Sequence, residues 1–126
     1  MKMSSGFTIT ERQIRGRVLE LARLISEDFA GEEVVFVGVL RGAFMFLADL
    51  VRAVSVPCRV DFVWVASYGQ ASRPGELKLI VDVSEDLRGK NVVLVEDIVD
   101  TGKTLAFLVE HLKAKSPKRL KVCALL

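Results

Sequence analysis

A chain of 126 residues of which 51% are hydrophobic has the means to build one well-cored domain, and its composition argues against disorder. A formal charge of +2 is too small to imply a nucleic-acid partner. The opening residues MKMSSGF lack the apolar block of a signal peptide, and no apolar run approaches membrane-spanning length, so no membrane partner is expected and the cytoplasm is the default location.

Residues 1–9 read as a loose arm. Thr10-Glu11-Arg12-Gln13 then has the form of a capping box, and Ile14, Val18, Leu21 and Ile25 follow at helical spacing, predicting a helix to about Phe29 that Gly31 ends. Val34 to Leu40 is an uninterrupted apolar run, the pattern of a strand buried on both faces of a parallel sheet. It runs into Arg41-Gly42, after which Ala43, Leu47, Leu50, Val51 and Val54 carry a helical stripe. Pro57 to Ser67 is rich in β-branched and aromatic residues and predicts another strand. Ser67-Tyr68-Gly69 opens a polar stretch through Glu76 that reads as a loop. Leu77 to Val83 returns as a strand, antiparallel to the one before. Leu87 to Lys90 turns the chain into Val92–Val95, a second doubly apolar strand, which ends in Glu96 and Asp97. Thr101 and Thr104 are cap candidates for a helix carrying Leu105, Leu108, Val109 and Leu112. Ser116-Pro117 breaks that helix, and Leu120 to Leu126 begins a further strand. Lys113, Lys115, Lys118, Arg119 and Lys121 read as an exposed helix end. Cys58 and Cys123 lie among apolar residues without metal spacing and read as small buried hydrophobes.

Strand, turn and helix alternate along the chain, which defines an α/β fold. The stretch VVLVEDIVDTGKTL, from Val92 to Leu105, concentrates the chemistry. It sets two acids at the carboxyl end of a central strand, then a hydroxyl-rich loop with a glycine opening onto a helix N-terminus. Ligands bind at that edge of an open α/β sheet, and backbone N–H groups at a helix start make a phosphate site. The acids suit the hydroxyls of a sugar, or a metal beside it, so a sugar phosphate is the ligand these parts fit. Arg41-Gly42 repeats the same strand–turn–helix geometry. Gly102-Lys103-Thr104 is not the tail of a Walker A loop, because the first glycine of that motif would fall at position 97, which is Asp97. Gly38 and Gly42 likewise form no G-x-G-x-x-G.

Over its whole length, the Val92–Leu105 stretch resembles the phosphoribosyl-pyrophosphate (PRPP) motif of type I phosphoribosyltransferases, and its Glu-Asp and Asp-Thr-Gly-Lys-Thr elements resemble the hypoxanthine-guanine branch. The resemblance implies a three-layer fold with a central, mainly parallel sheet and helices on both faces. It implies PRPP and a 6-oxopurine as substrates, and IMP or GMP and pyrophosphate as products. Thr101, Gly102, Lys103 and Thr104 would hold the 5′-phosphate, and Glu96 and Asp97 the ribose hydroxyls and Mg²⁺. Asp100 would be the general base toward the purine. Arg41 and Gly42 would hold pyrophosphate, with a cis Leu40–Arg41 peptide, while Ser67 and Tyr68 would belong to a lid that excludes water during reaction. A dimer or tetramer of identical chains is implied as well. The alternative from another class is a non-catalytic PRPP or nucleotide sensor, which would need neither Asp100 nor the Arg41-Gly42 turn; both are present. The resemblance finally implies that residues 1–126 are a single core domain incomplete at its C-terminus, with the purine-reading residues beyond Leu126. On that expectation the chain binds PRPP–Mg²⁺ but turns purine over poorly, and its last strand has an edge prone to association.

Overall fold

The computed structural model describes residues 10–67, 76–99 and 101–126. The chain runs α1 (Glu11–Asp28), β1 (Val34–Val39), α2 (Phe44–Ala53), β2 (Cys58–Ser67), β3 (Leu77–Val81), β4 (Asn91–Glu96), α3 (Lys103–Lys113) and β5 (Arg119–Ala124). The predicted capping box opens α1: the Gln13 N–H donates to the Thr10 hydroxyl at 3.1 Å, and the Thr10 N–H donates to the Gln13 side-chain oxygen at 2.9 Å.

The strands form one sheet in the order β3-β2-β1-β4-β5. β2, β1, β4 and β5 are mutually parallel, and β3 alone is antiparallel, against β2. β1, rather than β4, is therefore the middle strand, and β4 lies between it and the edge strand β5. Alternate residues of β1 and β4 feed two separate cores. Val34, Phe36, Val93 and Val95 pack with Val18, Ala22 and Ile25 of α1 and Phe46, Leu47 and Leu50 of α2. Val35, Val37, Val39, Val92 and Leu94 face the other way, toward Leu108 and Leu112 of α3. Burial on both faces is why neither strand alternates with polar residues. The result is the three-layer arrangement that the resemblance implied.

The element ends differ from the sequence reading in ways that local chemistry explains. β3 stops at Val81 instead of Val83, because the Val83 N–H is taken by the Asp82 carboxylate at 2.7 Å. β5 begins at Arg119, one residue earlier than expected. Past its last residue, the Leu125 and Leu126 N–H groups donate to the carbonyls of Glu96 and Asp97, at 3.2 and 2.9 Å. The basic cluster is not simply an exposed helix end. Lys115 donates to Asp82 at 3.0 Å and Lys118 to Glu32 at 2.7 Å; Arg119 reaches Glu32 at 3.3 Å, and Lys121 pairs with Asp28. These pairs tie the start of β5 to the end of α1 and the turn after it, and the end of α3 to the end of β3. Cys123 is buried as expected, its thiol pushed up to about 11 mainly by burial, whereas Cys58 is only half-buried because it opens β2 at the sheet rim. Among the described residues no helix is long and apolar enough to cross a membrane.

Candidate active site

From β1 the chain crosses over to β2 on one side, and from β4 it crosses to β5 on the other. Their carboxyl ends thus flank a topological switch point, the place where two βα turns diverge and leave a crevice. Both turns singled out in the sequence lie there. Their proximity is direct: a Cβ on Gly42 would stand 2.9 and 3.0 Å from the two carboxylate oxygens of Asp97. Only a residue without a side chain lets the β1–α2 turn meet the end of β4 this closely.

Asp97 is held in turn by its own backbone, its carboxylate accepting the Ile98 N–H at 2.8 Å. The Glu96 carboxylate accepts the Asp97 N–H at 3.1 Å. Glu96 is half-buried, and burial first, then the neighbouring Asp97 carboxylate, pushes its pKa up to about 7. An acid so placed is short of positive charge and of hydrogen-bond donors, which a cation or sugar hydroxyls would supply.

The loop after this pair was expected to be capped by Thr101 or Thr104. Instead the N-cap of α3 is Gly102, in the left-handed region at φ +83° with no side-chain cap. A glycine takes this conformation without strain, and the threonines are left with other tasks. The Thr101 hydroxyl accepts the Lys103 N–H at 3.3 Å. A cleft of about 170 Å³ lies at the start of α3, lined by Glu96, Ile98, Val99, Thr101, Gly102, Thr104 and Leu105, where the first N–H groups of a helix lack intrahelical partners. The Lys103 side chain is exposed beside it. A roomier cleft of about 350 Å³ between α1 and α2 is lined by Glu11, Ile14, Arg15, Asp49 and their neighbours, and no residue of either strand-end turn borders it.

At the end of β1 the Leu40–Arg41 peptide is cis, as the resemblance implied. The Leu40 N–H donates to the Val63 carbonyl at 2.8 Å, so the turn is anchored to β2. The Arg41 side chain is exposed, its guanidinium carbon 5.2 Å from the centre of the Trp64 ring. Trp64 was not picked out by sequence reasoning; a half-buried aromatic in a strand carries no local mark of a site. Ser67 ends β2, exposed at the same carboxyl edge of the sheet. Tyr68, Asp100 and the arm of residues 1–9 lie outside the described residues.

Residues 8–126 match the family model for the phosphoribosyl transferase domain, and the chain belongs to that family. Over 129 aligned residues it is 46% identical to the hypoxanthine phosphoribosyltransferase of Salmonella typhimurium, an alignment spanning 100% of this chain and 72% of that protein. Among solved structures it is similar to a hypoxanthine-guanine phosphoribosyltransferase from Bacillus anthracis, at 44% identity and a TM-score of 0.85 over 92% of this chain and 67% of that one. It is also similar to the hypoxanthine phosphoribosyltransferase of Trypanosoma cruzi in complex with the product IMP, at 38% identity and a TM-score of 0.84 over 93% of this chain and 67% of that one. The fold is that of the type I phosphoribosyltransferases.

Proposed function

We propose that this chain carries out the purine-salvage reaction, moving the 5-phosphoribosyl group of PRPP to hypoxanthine or guanine. The observation that carries this reading is the contact of the Gly42 turn with the Asp97 carboxylate at the switch point. It sets an anion-binding turn, an acid pair and a helix-start phosphate loop around one crevice. PRPP has the matching sequence of groups: pyrophosphate, ribose hydroxyls and 5′-phosphate.

In this assignment the N–H groups at residues 101–104 hold the 5′-phosphate against the positive end of α3. Arg41 and the backbone at Gly42 hold the pyrophosphate. Glu96 and Asp97 hold the ribose hydroxyls and the shell of a Mg²⁺ ion. Among the described residues no cluster of three or more His, Cys, Asp and Glu side chains exists. Two adjacent carboxylates nevertheless suit Mg²⁺, which is typically held by one or two carboxylates with waters and substrate phosphates completing its shell. When bound, the ion neutralises charge on the departing pyrophosphate. The bond from the ribose anomeric carbon to pyrophosphate breaks with its electron pair leaving on pyrophosphate, and a purine ring nitrogen forms the new bond. Asp100 takes the proton that the purine gives up.

The test is pyrophosphate release from PRPP–Mg²⁺ with and without hypoxanthine, for the native chain and Asp100→Asn. Loss of a general base is expected to slow transfer by roughly 10²–10⁴-fold while PRPP binding stays nearly unchanged. Equal losses of PRPP affinity and turnover would mean that Asp100 positions phosphate instead. PRPP binding without pyrophosphate release with any 6-oxopurine, both by this chain and by one extended at its C-terminus to the length of its relatives, would favour the sensor.

A further inference from the structure

Arg52 pairs with Asp49, and Arg59 with Glu33 and Glu85, but among the described residues Arg41 has no carboxylate partner. What it has is Trp64, whose ring centre lies 5.2 Å from the guanidinium carbon. The two residues are tied together by backbone. Val63 is the register partner of Val39, and its carbonyl accepts the Leu40 N–H at 2.8 Å, so Trp64 and Arg41 each follow directly from a fixed point. The pairing of β2 with β3 also shifts register between Trp64 and Val65. Irregularities of this kind re-aim a side chain at the end of a strand.

An arginine exposed at a turn is a long, mobile chain, and ordering it on a ligand costs side-chain entropy. An aromatic ring offers it a seat that uses one face of the guanidinium and leaves most of its N–H donors unspent. A carboxylate partner would have consumed those donors and cancelled the charge. The ring therefore holds Arg41 in place while keeping it fully available to an anion, which is the requirement of a pyrophosphate site.

We infer that Trp64 is a positioning residue for pyrophosphate, seating the Arg41 guanidinium beside the Gly42 turn. The inference rests on the assignment of that turn to pyrophosphate. The chain contains one tryptophan, so its fluorescence reports this position alone. Titration of the native chain with pyrophosphate–Mg²⁺ is expected to change that fluorescence, and the change is expected to be much smaller in Arg41→Ala. By calorimetry, Trp64→Leu is expected to weaken pyrophosphate and PRPP roughly 2- to 5-fold, the reach of an exposed cation–π contact, without altering the affinity for IMP. Trp64→Phe, which keeps a ring, is expected to recover most of the loss. In an Arg41→Ala background, Trp64→Leu is expected to add nothing. Weakened pyrophosphate binding by Arg41→Ala but not by Trp64→Leu would overturn the role of Trp64 and leave the turn's assignment standing. Equal damage by the Phe and Leu variants, or equal weakening of pyrophosphate and IMP, would mark a structural residue and overturn it as well. Unchanged pyrophosphate binding by Arg41→Ala would defeat the assignment of the turn itself, and this inference with it.

Discussion

Glu96 closes β4 with its carboxyl pushed from an ordinary 4.5 up to about 7, by burial and by the Asp97 carboxylate next to it. Between those values the folded chain binds more protons at this site than the unfolded chain does, so stability falls as pH rises. The contribution is present in full below about 4.5 and is lost as pH passes about 7. Metal-free protein is therefore expected to melt at progressively lower temperature across this window, and Glu96→Gln to show a flatter profile. Melting curves recorded against pH in chelator measure the difference; parallel profiles for the two proteins would contradict it. The same residue illustrates how a site can be poised for its ligand. The charge that burial disfavours in the empty crevice is the charge that hydroxyls or a divalent ion would stabilise.

Two βα units meet at the crevice, and Gly42 is the point where they touch. A methyl group there would come within 2.9 Å of an Asp97 oxygen, while the Ile98 N–H restrains the same carboxylate at 2.8 Å. The carboxylate would have to move. Because Gly42 is exposed and lies in a turn, Gly42→Ala is expected to leave the melting temperature nearly unchanged while lowering turnover. Misplacing a positioning group by about 1 Å costs up to about 10²-fold. Steady-state kinetics beside a melting curve checks this, and a variant as active as the native chain would show that Asp97 yields without consequence. A third element is pinned by a different device. The Asp61 carboxylate on β2 accepts the N–H groups of Phe62, Ser84 and Glu85 at 2.8, 2.8 and 2.7 Å, which fixes the connection from β3 toward β4. His111, on α3, and Lys115, just past its end, both meet Asp82, at 2.8 and 3.0 Å. The Asp82 carboxyl is held below its usual range: burial raises it, but the hydrogen bonds from His111 and Lys115 and from the Val83 N–H outweigh that.

At the scale of the molecule, Arg41, Glu96, Asp97 and the 101–104 loop share one edge of one sheet. Binding of PRPP–Mg²⁺ therefore needs no rearrangement of layers, and it is expected to stabilise the folded chain. At a hundredfold excess over the dissociation constant the gain is about 2.7 kcal/mol, seen as a rise of several degrees in melting temperature. A thermal-shift titration measures it, with ribose 5-phosphate as the comparison ligand that lacks pyrophosphate. Folded protein with no shift from PRPP–Mg²⁺ would contradict the placement of these groups around a single ligand.

Much of this was legible in the chain itself, because it depends on neighbours in sequence. The Thr10–Gln13 box, the apolar runs of β1 and β4 and the stripes of α1, α2 and α3 are set by helical and strand periods acting over a few residues. The phosphate loop was legible for the same reason, though its cap was not. Both Thr and Gly can start a helix, and the choice of Gly102 depended on how the backbone leaves β4. The order of strands, the position of β1 in the middle and the ion pairs of Lys118, Arg119 and Lys121 with Asp28 and Glu32 were out of reach. So were the meeting of Gly42 with Asp97 and of Arg41 with Trp64. Each joins residues distant in the chain, or on separate strands, through pairing that leaves no periodic trace in either segment. Strand neighbours are selected by which buried faces fit together, and that selection is made only when the whole sheet forms.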